Sequence, residues 1–130
     1  MTGGVAVVEC PASVGVGRVY DVWHTGGPLG TLEQGGDPDA PWTLDTPAGS
    51  VALRIVELPP GGPTAAGWHA TETIDIDVVL SGRLGVELPG GVTVELGPGD
   101  SVVQRGTNHR WWAIGDEPVR WAAVMWALTD

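Results

Sequence analysis

The chain reads as a single all-β domain, and three observations carry that reading. Short apolar runs recur between Gly- and Pro-rich breaks, no stretch shows a convincing amphipathic helical period, and a length of 130 residues suits one domain. The 21 glycines and 11 prolines punctuate runs of four to ten residues rich in Val, Ile, Thr or Trp, the composition of strands. Regular spacing of such runs with turn signals predicts a sandwich or a small barrel.

Taken in order, the predicted strands are "VYDVW" (19–23), "VALRIVEL" (51–58), "TIDIDVVL" (73–80), "RLGVEL" (83–88), "VTVEL" (92–96), "SVVQ" (101–104), "HRWWAI" (109–114) and "VRWAAVMWAL" (119–128). "ELPGGVTVEL" is a hairpin around Pro89-Gly90-Gly91, and "LGPGD" (96–100) is a second tight turn. Residues 24–50 are rich in Gly, Pro and Asp with little periodicity, which predicts an ordered arm that Trp42 pins to the body. Residues 1–48 are therefore expected as N-terminal strands and an arm packed on a barrel, and 49–130 as the barrel itself.

Composition narrows the function. A formal net charge of -10 and six basic residues, all arginine, make a poor nucleic-acid binder. The absence of lysine rules out a lysine Schiff base and a P-loop lysine, and no serine lies in a GxSxG context. No apolar run approaches the ~20 residues that span a bilayer, so no membrane partner is expected. The first residues lack the basic and apolar regions of a signal peptide, and Cys10 is the only cysteine. Both features fit a reducing, cytoplasmic setting.

The segment "WHATETIDIDVVLSG" (68–82) has two faces. His69, Thr71, Thr73, Asp75 and Asp77 share one; Ile74, Ile76, Val78 and Leu80 share the other. A polar row in water would be the bland explanation. The favoured one places the polar row inside a barrel, where a ligand can sit, and the apolar row against a neighbouring sheet or a partner subunit. His69 is expected to open its strand and His109 another, so that the two imidazoles face each other across the interior. Two imidazoles and the Asp75 carboxylate are a set acceptable to iron, zinc, manganese or nickel.

Parity turns Trp111 inward with His109 and Trp112 outward, and allows at most one of Trp121 and Trp126 to face inside. Trp23 and Trp42 are placed to close one mouth. Arg54 is expected either in a surface pair with Glu57 or on a ligand carboxylate. Arg105 and Arg110 are expected exposed. Asp77 is the weakest member of the inward row, nearest the strand's far end, with a solvated position as its alternative. His24 is expected in a loop without a role, with an acid–base position at the barrel mouth as the alternative.

"HATETIDIDVVLSG" followed by "LGPGDSVVQRGTNHRWW" resembles the small single-domain cupins with H-x-T-x-T-x-D and Q-R-G-T-x-H-x-W patterns. The resemblance spans residues 49–128 and implies an antiparallel jelly-roll barrel, commonly a homodimer. His69 stands at the first metal histidine of that family, Thr71 at the second, Asp75 at its glutamate and Gly82 at the closing glycine. Gly99, Gly106 and His109 match the second motif, while Gln104 replaces its proline and Ala113 its asparagine. The implied site has His69, Asp75 and His109 as metal ligands or acid–base groups, with Thr71, Thr73, Gln104, Trp111 and Arg54 on the substrate. The implied cofactor is a divalent transition metal, with a metal-free site as the alternative. The implied activity is non-redox chemistry on an oxygenated, polyketide-like small molecule: dehydration, decarboxylation, cyclisation or isomerisation. An iron dioxygenase and a non-catalytic binding module are the rival readings.

Overall fold

The computed structural model describes residues 6–9, 17–25, 47–63 and 67–128. The expectations for Cys10, for Trp42 and for most of the arm lie outside these residues. Among them the structure is all strand: β1 Ala6–Glu9, β2 Arg18–His24, β3 Val51–Leu58, β4 Thr73–Ser81, β5 Leu84–Leu88, β6 Val92–Leu96, β7 Ser101–Arg105, β8 Arg110–Ala113 and β9 Val119–Ala127. Every predicted run is a strand whose ends agree within one residue; "HRWWAI" is shortened by one residue at each end. β1 was not foreseen, because "AVVE" is short and lies between Gly- and Pro-containing stretches. Among the described residues no helix is long and apolar enough to cross a membrane.

Every strand pairing is antiparallel. One sheet runs β1-β2-β3-β9-β4-β7 and the other β6-β5-β8. The hairpin joining β5 and β6 turns through Gly90 and Gly91 at φ 90° and 78°, a conformation that only glycine adopts without cost. Gly82 (φ 76°) makes the β4–β5 turn, and a Cβ there would lie 2.3 Å from the Pro118 carbonyl oxygen.

The apolar core fills the space between the sheets. Leu58, Val79, Val119, Trp121 and Ala123 come from the large sheet, and Leu84, Val86, Leu96 and Ala113 from the small one. Gly85 contributes by having no side chain. It pairs with Trp112 across β5 and β8, and a Cβ on it would fall 2.2 Å from the indole. Trp112 therefore lies over Gly85, as its outward parity required.

β4 reverses the usual partition. Thr73, Asp75, Asp77 and Val79 are buried, while Ile76 and Leu80 are 44% and 48% exposed. Interior position is thus given to the polar row, and the apolar row faces outward with Val103 and Trp126. Asp77, the weakest member of the expected inward row, is only 1% exposed, because Val79 continues the interior face beyond it toward the core.

Candidate active site

His69 and His109 lie just outside the regular strands. His69 precedes β4 by four residues and His109 immediately precedes β8, so neither opens a strand as expected. They pair with each other instead: each backbone N–H donates to the other's carbonyl at 2.9 Å. This isolated antiparallel bridge fastens the approach to β4 onto the approach to β8 and brings the rings edge to face, with centroids 4.4 Å apart. Trp111 packs against both rings, at 4.4 Å from His109 and 6.1 Å from His69, and continues to Trp121 at 5.2 Å.

Each imidazole is anchored through the same nitrogen. His69 Nδ1 is 2.8 Å from the Gly67 carbonyl oxygen, and His109 Nδ1 is 2.6 Å from that of Thr107. A carbonyl only accepts, so both Nδ1 atoms carry the proton, and a neutral ring then keeps its lone pair on Nε2. His109 is buried and its Nε2 has no partner among the described residues. Burial holds its pKa down at about 4, against the pull of the Thr107 carbonyl, and His69 lowers it further. His109 is therefore a neutral ring at physiological pH.

A cavity opens beside this pair, with about 100 Å³ open to the centres of water-sized molecules. His69, Thr71, Asp75, Asp77 and Arg54 are its polar lining, set among Trp111, Trp121, Met125 and smaller apolar side chains. His109 is not in the lining. It stands behind His69 and Trp111 as support, where a facing position had been expected. Thr73 and Gln104 are likewise buried but outside the lining. The Thr73 hydroxyl is bonded to Thr71 at 2.6 Å and donates to Asp75, and Gln104 sits opposite Asp75 in the β4–β7 register. Both belong to the support of Asp75.

The two interior aspartates are hard to ionise. Burial pushes the Asp75 carboxyl above the usual range, opposed by the Thr73 hydroxyl and by His69 and Arg54. Asp77 is pushed up to about 8, first by burial and then by the charge of Asp75. The Trp121 indole acts on it in the opposite sense, yet Asp77 Oδ2 and Trp121 Nε1 are both buried without a hydrogen-bond partner.

Sequence reasoning put Arg54 on the substrate but missed its ion-pair partner, Asp21. Arg54 is buried, not in a surface pair with Glu57: its Nε donates to Asp21 Oδ1 at 3.3 Å, and Nη1 lies 3.5 Å from Met125 Sδ. Asp21 Oδ2 is 2.5 Å from His24 Nδ1, so His24 closes β2 with a partner. The available signal was Asp21 itself, a carboxylate inside an apolar run. Arg110, expected exposed, is half-buried against Glu87 at 2.7 Å and over the Trp68 ring.

As a metal site the arrangement is short of donors. Two imidazoles converge, but Asp75 is turned to Thr73, and among the described residues no three His, Cys, Asp or Glu side chains form a group that could hold a cation. The set His69/Asp75/His109 expected from the resemblance is not assembled among the described residues.

A family model described as a cupin domain matches residues 54–126. A protein of Diaporthe leptostromiformis named "Phomopsin biosynthesis cluster protein C'" is 48% identical over 68 residues, which cover 52% of this chain and 34% of that protein. "Oryzines biosynthesis cluster protein J" of Aspergillus oryzae is 45% identical over 63 residues, covering 48% of this chain and 34% of that one. The chain thus spans about a third of the length of these curated relatives. Among solved structures, a cupin 2 conserved barrel domain protein from Rhodopseudomonas palustris superposes with a TM-score of 0.64 at 17% identity, over 98% of this chain and 74% of that one. That likeness is one of fold.

Proposed function

The chain belongs to the cupin-domain family, and we propose that it is an enzyme that moves a proton on a small oxygenated molecule held in the barrel cavity. The single observation that carries this reading is the inverted β4. A strand buries its carboxylates and exposes its isoleucines only where the interior has polar work to do, since burying an unpaired carboxyl costs several kcal/mol. In that cavity His69 is the base. Its Nδ1–H is fixed on Gly67, so Nε2 is the nitrogen left to take a proton from a bound molecule. Asp77, protonated at neutral pH, is the complementary acid. A base on one side of the cavity and a protonated carboxyl on the other let one site withdraw and return a proton.

Trp111, Trp121, Val56, Leu58 and Met125 supply an apolar wall for a flat molecular body, with the polar groups on one part of the lining. The names of the phomopsin and oryzines cluster relatives support a place for this chemistry in the making of a secondary metabolite. Dehydration, decarboxylation, cyclisation and isomerisation all need such a proton transfer, and none requires an oxidant.

The test uses cyclohexanone in D₂O, with exchange of its α-hydrogens followed by NMR. Wild-type protein accelerates exchange, and His69→Ala abolishes the acceleration while quenching of Trp111 and Trp121 fluorescence by the ketone persists. Dialysis against a chelator leaves the rate unchanged. Exchange that survives in His69→Ala refutes the assignment, and a rate lost to chelation and restored by a divalent cation moves the chemistry to a metal.

A further inference from the structure

Three buried polar atoms lack partners among the described residues: Asp77 Oδ2, Trp121 Nε1 and His109 Nε2. His109 stands behind the cavity wall, whereas the side chains of the other two atoms line it. Asp77 pairs with Ala123 and Val79 with Trp121 across β4 and β9, so Asp77 and Trp121 are diagonal neighbours on the interior face. The Trp121 N–H lies near enough to the Asp77 carboxyl to lower its proton affinity, yet neither Nε1 nor Oδ2 meets a partner in hydrogen-bond geometry, and a polar atom entering from the cavity would supply one. An indole N–H can only donate, so the incoming atom must accept.

We infer that Trp121 Nε1 and the Asp77 carboxyl form an oxygen-binding subsite, and that the substrate presents a carbonyl oxygen to it. The inference rests on the acid–base reading above and gives it a substrate class: ketones or aldehydes with a hydrogen on the adjacent carbon. His69 Nε2 takes that hydrogen as a proton. The C–H electron pair becomes a carbon–carbon π bond, and the carbonyl π pair moves onto oxygen. The enolate oxygen accepts from the Trp121 N–H and the Asp77 O–H. Return of the proton from His69 to the same carbon, or to one conjugated with it, restores the carbonyl, so that nothing is oxidised or reduced.

The probe is 4-nitrophenolate, whose single anionic oxygen stands for the enolate and whose visible absorbance reports its ionisation. Full-length protein at pH 7 binds the phenolate and shifts the phenol's ionisation to lower pH. Trp121→Phe and Asp77→Leu weaken binding by roughly ten- to hundredfold each, the effect of losing one buried donor. Asp77→Asn, whose amide N–H replaces the O–H, keeps most of it. Should Trp121→Phe fail to fold, the contrast between Asp77→Asn and Asp77→Leu decides. Equal binding by wild type, Asp77→Leu and any folded Trp121→Phe overturns the subsite, as does a wild type that ignores phenolate. His69→Ala separates the two readings: it stops exchange and leaves phenolate binding intact. Exchange that survives in His69→Ala removes the base and not the subsite.

Discussion

Replacing Asp77 by Asn will change how the stability of this protein depends on pH, and the size of the change follows from two buried groups. Folded, Asp77 keeps its proton up to a pH of about 8; unfolded, it releases it near 3.8. Across that span the folded state binds more protons, so stability falls as pH rises. His109 acts oppositely. Its folded pKa is about 4 and its unfolded value 6.5, so between these the unfolded chain binds more protons and stability rises with pH. The two slopes cancel between about pH 4 and 6.5. Above 6.5 His109 is neutral in both states and only the Asp77 slope remains. At 1.36 kcal/mol per unit, the 1.5 units from 6.5 to 8 amount to about 2 kcal/mol of lost stability. Urea unfolding followed by tryptophan fluorescence at pH 6.5, 7.2 and 8.0 measures this directly, and Asp77→Asn, which cannot ionise, isolates it from every other titrating group. Wild type loses about 2 kcal/mol relative to the variant over that interval. Parallel curves for the two proteins would refute a protonated interior Asp77, and with it the acid of the proposed reaction.

Two further predictions concern the scaffold. Gly85→Ala drives a methyl group into the Trp112 indole at 2.2 Å and lowers stability by about 1–3 kcal/mol, read as a fall in the thermal midpoint; an unchanged midpoint means the indole does not rest on β5. The homodimer implied by the resemblance would use the outer apolar face of Ile76 (44% exposed), Val103 (57%) and Trp126 (59%), which also carries Arg105 opposite Ile74. Ile76→Arg then halves the mass seen by sedimentation, and a monomeric wild type contradicts the expectation.

How much of this was legible in the sequence depended on whether the information was local. Strand identity is local: alternation and Gly/Pro breaks gave β2 through β9, and the inward turn of Trp111 and outward turn of Trp112 followed from parity alone. Which face of β4 is interior is not local, because hydrophobicity votes for the wrong side. The choice was recoverable only because His109, far along the chain, asked for a partner where His69 lies. Groups whose partners are distant and unremarkable in their own segments stayed hidden. Arg54 was left between a surface pair with Glu57 and a ligand carboxylate because its partner Asp21 is 33 positions away. Asp21 and Arg54 lie directly opposite each other in the β2–β3 register, a pairing that neither segment announces on its own.

Asp77 was left open between cavity and solvent for a related reason. It lies toward the end of the polar row that starts at His69, yet it is the middle residue of β4 and is flanked there by β7 and β9. Its proton affinity arises from this lack of solvent together with the charge of Asp75 two residues away. The spacing of the two aspartates was visible in the sequence; the desolvation that makes one of them an acid is a property of the closed barrel. The family motif thus located the pair of histidines, whereas the division of labour among cavity groups, with His69 in the wall, His109 behind it and Asp77 protonated, is set by tertiary packing around Trp111 and Trp121.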